Sequence, residues 1–175
     1  MRKTMSMRYA LSLVWCTAVG AALTLAAAGA HALDAGAKMP EIGLNDLSGK
    51  PVNLASLAGK VVVIDFWATW CAPCKEELPV LQNLYKKYGS QGLVIVGVSV
   101  DKDAANLPSF LKKLGVTFPI VHDANHAVSG RYAPPRMPSS YIVDRKGIVK
   151  YVHGGFRADD APVFEKQIQG LLAAK

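Results

Sequence analysis

The sequence predicts an α/β fold built on a central mixed sheet with helices on both faces. Residues 61–66 and 93–100 are apolar runs typical of buried strands covered on each side. Between them, apolar residues at intervals of three and four predict a helix over 71–88, so strand, helix and strand form a parallel unit. Runs at 140–143 and 148–152 flank an Asp-Arg-Lys-Gly turn and predict an antiparallel pair, which makes the sheet mixed.

Shorter patterns predict the remaining elements. Residues 33–59 hold two short extended pieces around a Ser-Gly-Lys turn and predict an N-terminal hairpin. A second helix is expected over 104–114 and a short strand over 117–121. We expect another short helix over 124–131, and an amphipathic helix over 158–172 closes the chain.

An export signal is predicted at the amino terminus. The bases Arg2, Lys3 and Arg8 precede residues 9–30, which carry no charge and are rich in Leu, Val and Ala. The triplet Ala-His-Ala at 30–32 then matches the small-x-small pattern that signal peptidase cleaves. The alternative is an uncleaved membrane anchor, because an uncharged segment of this length can span a bilayer.

Both interpretations divide the chain in the same way. Residues 1–32 form the signal peptide or anchor, and residues 33–175 form a single globular domain. In either case the domain is expected outside the cytoplasm, in the periplasm or an equivalent compartment. It is soluble there if the signal is cleaved and attached to the membrane if it is not.

Composition and cysteine usage narrow the function of that domain. Lys and Arg number 20 against 13 Asp and Glu, and no basic run occurs, so nucleic acid is not an expected partner. Of the three cysteines, Cys16 falls in the predicted signal, which leaves Cys71 and Cys74. A disulfide between residues this close closes almost no loop and adds little stability. The purpose of the pair is therefore predicted to be chemical.

The position of this pair explains how it could react. Trp70, Cys71 and Cys74 follow a predicted buried strand and open a predicted helix. The free N–H groups and positive dipole end of a helix N-terminus stabilise a thiolate, so we expect Cys71 to be exposed and its pKa to lie below that of free cysteine. Cys71 would attack a substrate disulfide, and the shielded Cys74 would resolve the mixed disulfide.

The alternative interpretation of a CxxC motif is half of a zinc site. A structural zinc site needs four ligands, and the domain has no third cysteine. His122 and His126 lie about fifty residues away along the chain, by their numbering, and are interpreted as surface residues. No phosphate-binding glycine loop is present either, so we predict neither a metal nor a cofactor.

Asp65 places a charge in an otherwise apolar strand six positions before Cys71. Burial without a cation should raise the pKa of this carboxyl, which would let it take the proton of Cys74 during resolution. The alternative is a carboxylate that is hydrogen-bonded to a neighbouring strand or to Lys60. The nearby residues Lys75, Glu76 and Glu77 are interpreted as a solvated helix face, and the alternative is that they tune Cys71 or select partners.

Residues 65–75, Asp-Phe-Trp-Ala-Thr-Trp-Cys-Ala-Pro-Cys-Lys, resemble the active-site stretch of the thioredoxin superfamily. The export signal, the Glu-Glu-Leu-Pro continuation at 76–79 and an inserted segment between 100 and 120 are similar to the exported branch of TlpA- and ResA-like proteins, which includes the thioredoxins of cytochrome c biogenesis. The resemblance implies a three-layer thioredoxin-like fold with helices on both faces of the sheet.

The resemblance also implies a substrate-binding surface made by Trp70, Met137 and Pro138, with a cis bond before Pro138 and the Met137 backbone turned towards Cys71. The chain departs from ResA-like members at two positions. It has Lys102 where they have an acid, and Asp65 where they tend to have a neutral residue. These departures favour a thioredoxin-like proton relay over a substrate restricted to cytochromes.

The function implied is an extracytoplasmic thiol:disulfide oxidoreductase, expected to be monomeric, that reduces protein disulfides and is re-reduced by a membrane thiol donor. Its substrates could be apocytochromes, oxidase-assembly proteins or misoxidised proteins in general. One alternative is a peroxiredoxin-like thiol peroxidase, but Ile64 and Ala68 stand where that chemistry needs Pro and a hydroxyl residue. The other is a non-catalytic binding module that retains the motif.

Overall fold

A computed structural model of the chain describes residues 32–174, and it confirms the predicted α/β class. The predicted signal or anchor therefore falls almost entirely outside the described residues. The strands are β1 (Leu44–Asn45), β2 (Pro51–Val52), β3 (Val61–Trp67), β4 (Leu93–Ser99), β5 (Ile120–His122), β6 (Ser139–Val143) and β7 (Val149–Gly154). The helices are α1 (Leu54–Leu57), α2 (Ala72–Tyr88), α3 (Leu107–Leu114), α4 (Ala127–Tyr132) and α5 (Ala161–Ala173).

The central sheet has five strands in the order β5-β4-β3-β6-β7, and β1 and β2 form a separate antiparallel hairpin. Strand β4 runs parallel to both β3 and β5, whereas β6 runs antiparallel to both β3 and β7. The mixed sheet and the hairpin agree with the sequence prediction. The inserted segment supplies α3, which carries the chain from β4 to the parallel edge strand β5.

Two apolar clusters cover the two faces of this sheet. Alternate residues of β3 point to opposite faces, so Val63 and Trp67 pack with α2, α3 and α5, while Val62 and Ile64 pack with α1, α4 and the hairpin. Every residue of β3 is buried. The result is the predicted three-layer arrangement, with the active-site motif at the carboxyl end of the central strand.

The element boundaries differ from prediction mainly where a proline lies. Helix α3 begins at Leu107, three residues later than expected, and α5 begins at Ala161; each has a proline in its first turn, where a missing N–H costs nothing. Strand β5 begins after Pro119, which cannot donate to a sheet ladder. The sequence prediction also missed α1, a single turn with an Asn53 and Ser56 capping box.

Among residues 32–174, we find no helix that combines the length and the apolar character needed to cross a membrane.

Candidate active site

Cys71 and Cys74 lie at the junction of β3 and α2 and form a disulfide, with their Cα atoms 5.3 Å apart. Cys71 is the N-cap residue of α2, and its sulfur accepts a hydrogen bond from the Cys74 N–H at 3.3 Å. Pro73 occupies the first turn, where its missing donor leaves no bond unmade. In the reduced state, the same N–H group and the helix dipole would favour a thiolate on Cys71.

The pair is less accessible than the sequence suggested. Cys71 is only 5 % exposed and Cys74 is fully buried, so the expectation of an exposed Cys71 is wrong for the disulfide form. The two sulfurs pack with the apolar residues of β3, α2 and Phe156 in the same cluster. Trp70, immediately before Cys71, is 67 % exposed and is the most exposed large apolar side chain among the described residues.

A buried carboxylate anchors the loop that precedes Cys71. Asp101, which follows β4, accepts hydrogen bonds from the Thr69 N–H at 3.0 Å and the Thr69 hydroxyl at 2.6 Å. The Ser99 hydroxyl donates at 2.9 Å to Asp101 Oδ2, the oxygen that also accepts from the Thr69 N–H. The Cys71 N–H donates to the Ala68 carbonyl at 3.2 Å, which closes the turn. The sequence alone assigns no role to Asp101.

Asp65 lies in β3, fully buried, on the sheet face that carries α2. Its Oδ1 lies 3.0 Å from the hydroxyl of Ser140 in the adjacent strand β6, and its Oδ2 has no hydrogen-bond partner among residues 32–174. Burial raises the pKa of Asp65 to about 7, against a smaller lowering by Ser140. The side chain is thus buried as expected, and its hydrogen-bond partner is Ser140 of the neighbouring strand, not Lys60.

Glu77 corrects the sequence interpretation. It was assigned to a solvated helix face, yet it is only 1 % exposed. Its Oε1 lies 2.9 Å from the same Ser140 hydroxyl, and its Oε2 has no partner. Burial raises the pKa of Glu77, and the charges of Asp65 and Asp160 raise it further.

A spacing signal could have revealed this position. Glu77 lies three residues after Cys74 and next to Leu78, and apolar residues at three- and four-residue intervals mark the buried face of α2. The charge of Glu77 suggested an exposed side chain, whereas the apolar periodicity of α2 placed it on the buried face of the helix. Both buried acids contact one hydroxyl, that of Ser140.

The peptide bond between Met137 and Pro138 is cis, as the resemblance implied. The Pro138 carbonyl accepts a hydrogen bond from the Gly155 N–H at 2.7 Å, which ties this loop to the end of β7. Ser139, just beyond, donates its hydroxyl to the Arg136 carbonyl at 2.6 Å. Within residues 32–174, the Met137 N–H and C=O make no hydrogen bond, so both remain available to an extended substrate.

The described part of the chain contains no cluster of three or more His, Cys, Asp or Glu side chains that could hold a metal ion. His122 is half-buried, and its Nε2 lies 2.7 Å from the Asp101 carbonyl, whereas His126 is exposed. Only His126 thus fits the prediction of a surface residue fully.

Known proteins resemble this chain in sequence and in fold. Residues 35–152 match the model of the AhpC/TSA family. The thiol-disulfide oxidoreductase ResA of Bacillus subtilis is 38% identical over 128 residues, which cover 73% of this chain and 72% of that protein.

Solved structures give the same result. A Chlorobium tepidum protein described as the thiol:disulfide interchange protein DsbE superposes with a TM-score of 0.77 at 34% identity, covering 81% of this chain and all of that one (100%). A secreted Mycobacterium tuberculosis disulfide oxidoreductase homologous to Escherichia coli DsbE superposes with a TM-score of 0.66 at 27% identity, covering 73% of this chain and 94% of that one. The chain therefore belongs to the AhpC/TSA family of thioredoxin-fold proteins, and it is a thiol:disulfide oxidoreductase with a Cys71–Cys74 pair.

Proposed function

We propose that the chain reduces disulfides in proteins outside the cytoplasm, with Cys71 as the attacking thiolate and Cys74 as the resolving thiol. The observation that carries this proposal is the position of Cys71 at the N-cap of α2, where the Cys74 N–H donates to its sulfur. A sulfur in this environment ionises more readily than a free thiol, and a thiolate is the nucleophile in disulfide exchange.

The reaction begins with attack by the Cys71 thiolate on one sulfur of a substrate disulfide. A bond forms between Cys71 and that sulfur, and the other substrate sulfur leaves as a thiolate and takes a proton from water. The product is a mixed disulfide that joins the enzyme to its substrate.

Cys74 completes the reaction from its buried position. Asp65 accepts the Cys74 proton, because burial holds the pKa of this acid at about 7, close to the working pH. The Cys74 thiolate then attacks the Cys71 sulfur, which forms the Cys71–Cys74 disulfide and releases the second substrate sulfur as a thiolate. That thiolate takes a proton from Asp65 or from water, and Asp65 returns to its ionised form. Two electrons have passed from the enzyme to the substrate.

Trp70, Met137 and Pro138 form the proposed substrate surface. Trp70 presents an exposed indole beside Cys71, where it can pack on an apolar substrate side chain. The unpaired backbone groups of Met137 can bind an extended substrate strand opposite the cysteine pair, as in β-strand addition. The expected substrates are disulfide-containing proteins, among them apocytochromes and oxidase-assembly proteins.

The predicted signal or anchor at residues 1–32 supports an extracytoplasmic location. Proteins there meet oxidants, so a reductant must itself be re-reduced by a donor that brings electrons across the membrane. The direction towards reduction is supported by Ala72 and Pro73 between the cysteines, because strong oxidants of this superfamily often carry a His there to stabilise the thiolate.

The reduction potential of the purified domain tests the direction. After equilibration in glutathione or dithiothreitol buffers, the pair should show a potential near that of thioredoxin, about −270 mV. A value near that of the strong oxidant DsbA, about −120 mV, would overturn the reductant assignment. The full-length Cys74→Ser variant, expressed in cells, should in addition accumulate mixed disulfides through Cys71, which identifies its substrates.

Two matched assays address the alternatives. If the protein were a thiol peroxidase, the reduced form would consume hydrogen peroxide catalytically with dithiothreitol; Ala68 supplies no hydroxyl for peroxide binding, and we expect no turnover. If it were a non-catalytic binding module, Cys71→Ser would retain its biological activity. We expect that variant to be inactive.

A further inference from the structure

Ser140 joins two buried acids through a single hydroxyl group. Its Oγ lies 3.0 Å from Asp65 Oδ1 and 2.9 Å from Glu77 Oε1, and both distances are those of hydrogen bonds. A serine hydroxyl has one proton to donate and lone pairs to accept with. It can therefore donate to only one of the two acids, and the other contact must be a hydrogen bond that the acid itself donates.

An ionised carboxylate has no proton to donate, so the two contacts cannot both be hydrogen bonds when both acids are charged. That state would also place two like charges in a buried space. No Lys or Arg forms an ion pair with either acid in the part of the chain that the structure describes. The geometry allows one or two protons on the acid pair and excludes the state in which both acids are ionised.

We propose that Ser140 is a positioning residue that holds a shared proton between Asp65 and Glu77, so that the two acids serve Cys74 as one proton acceptor. This inference rests on the proposed function. The pair with one proton is the resting form of the reduced enzyme, and the pair with two protons is the form that exists after Cys74 has been deprotonated.

The proton has a defined route through this group. When Cys74 loses its proton, one acid of the pair receives it and the net charge of the pair changes from minus one to zero. If Asp65 receives the proton, the Ser140 hydroxyl can rotate so that it accepts a hydrogen bond from Asp65 and donates one to Glu77. If Glu77 receives it, the two roles are exchanged, and neither acid has to move. The pair then gives one proton to the departing substrate thiolate or to water, which returns its net charge to minus one, and no electron passes through the pair.

The position of the pair fits this role. Glu77 lies one helical turn beyond Cys74 on the same side of α2. Asp65 lies opposite Ser140 in the register of β3 and β6, on the sheet face that α2 covers. Besides the cysteines, the titratable side chains near the pair include Asp160, whose charge acts on Glu77, and His153, opposite Ser140 in β7 and 2.7 Å from Gln167 Oε1.

Carboxyl ¹³C NMR titration of the full domain measures this pair directly. In the wild type, the Asp65 and Glu77 signals should each respond to both ionisation steps, because a shared proton couples them. In Ser140→Ala the singly ionised pair loses its hydrogen-bond donor, so the first step should move up by about one pH unit. The NMR signals of the His153 ring are followed in the same experiment, so that its ionisation is told apart from these steps.

The chain offers a matched control beside the test position. Ser139 is also fully buried, but its hydroxyl donates to the Arg136 carbonyl and contacts neither acid. Ser139→Ala removes the same atom and should leave both carboxyl titrations unchanged. Ser140→Thr keeps a hydroxyl and should restore the wild-type titration, which distinguishes the proton-holding role from a packing effect.

A kinetic measurement links the pair to Cys74. Reduced protein is treated with dithionitrobenzoate, which forms a mixed disulfide at Cys71, and release of the second thionitrobenzoate reports attack by Cys74. At pH 7 this second phase should slow several-fold in Ser140→Ala, with its pH profile displaced upward by about one pH unit, as the carboxyl titration is. The first phase, attack by Cys71, should not change.

The outcomes separate this inference from the function on which it rests. If the Asp65 and Glu77 carboxyls titrate independently in the wild type, or if Ser140→Ala leaves the first ionisation where it was, the shared proton is wrong even though the cysteines remain redox-active. If the cysteines never exchange with dithionitrobenzoate, the proposed function fails, while the carboxyl titration still tests whether Ser140 holds a proton.

Discussion

Two pairs of buried acids differ in how their oxygens are satisfied. Asp123 is fully buried and accepts from the Val128 N–H at 3.0 Å and the Ser129 N–H at 2.7 Å, at the start of α4. Asp101 accepts from the backbone and hydroxyl of Thr69 and from Ser99. In contrast, Asp65 and Glu77 share one serine hydroxyl, and each keeps one oxygen without a partner.

The difference separates acids that hold neighbouring segments in place from acids to which we assign a proton-accepting role. Donors reach both oxygens of Asp101 and of Asp123, so these side chains serve as fixed acceptors. Asp65 and Glu77 lack such donors, and their burial raises both pKa values. A buried acid with unmet hydrogen-bonding capacity destabilises the fold and is found where the chemistry needs a proton acceptor.

Among the variants that lose stability, the largest loss is expected at Asp123, the buried acid that holds the start of α4. Asp123→Ala leaves two buried N–H donors without an acceptor and should lower the free energy of unfolding by about 3 kcal/mol. Asp103→Ala is the matched control, because Asp103 is exposed and accepts one local hydrogen bond. Urea unfolding at pH 7 measures both variants. Equal losses in the two would contradict the structural role of Asp123.

Asp65→Asn should instead raise the free energy of unfolding. Asp65 ionises at about 7 in the fold and at 3.8 in the unfolded chain, so the folded state binds the proton more tightly. The wild type therefore loses stability as pH rises from about 4 to about 7. Asn carries no charge, so the variant should be more stable at pH 8, by up to about 4 kcal/mol for a shift of about three pH units, and by almost nothing at pH 4.

Urea unfolding of the oxidised protein at the two pH values measures this difference. A gain of equal size at pH 4 and pH 8 would mean that packing, not charge, causes it. The same variant should slow the resolving step of Cys74, because its proton acceptor is altered. Increased stability together with reduced activity is the signature of a buried acid kept for function.

Thr69→Val tests whether Asp101 positions the active-site loop. The substitution keeps the side-chain shape but removes the 2.6 Å hydroxyl contact to Asp101, so stability should fall by about 1 kcal/mol. Thr69→Ser keeps the hydroxyl and should lose less. Thermal unfolding compares the two variants, and the rate of Cys71 alkylation in the reduced protein shows whether the loop has shifted. If Thr69→Val were as stable as the wild type, the hydroxyl contact to Asp101 would contribute nothing to stability.

The smallest stability effect is expected at the exposed rim of the site. Trp70→Ala should change the free energy of unfolding by less than about 0.5 kcal/mol, because most of the side chain already lies in solvent. The KM for a disulfide-containing protein substrate should nevertheless rise several-fold, with little change in kcat. Steady-state kinetics with a protein substrate and with a small disulfide distinguish weaker protein binding from a damaged cysteine pair. Only the reaction with the protein substrate should be affected.

The sequence predicted the central elements closely because their patterns are strong. The apolar runs of β3 and β4 and the periodicity of α2 gave boundaries within a residue of those observed. Cys71, Cys74 and Asp65 were identified for the same reason: each departs visibly from its local pattern. The cis bond before Pro138 came from the family resemblance and not from local physics.

The missed features depend on packing between distant segments. Glu77 was interpreted from its charge, although its spacing from Cys74 marked the buried face of the helix. Ser140 gave no signal of its own, because a serine in a strand becomes informative only when an acid from β3 and an acid from α2 meet it. Asp101 likewise acquires a role only once β4 is placed beside the Thr69 loop.

The central claim is that Cys71 forms a reactive thiolate that joins reversibly to Cys74. Titration of the reduced domain by thiolate absorbance near 240 nm, repeated on Cys74→Ser, measures it most directly. The account predicts that Cys71 ionises below the pKa of about 8.5 found for free cysteine and that glutathione buffers interconvert dithiol and disulfide. Ionisation at or above that value, or a pair that does not re-form its disulfide, would contradict it.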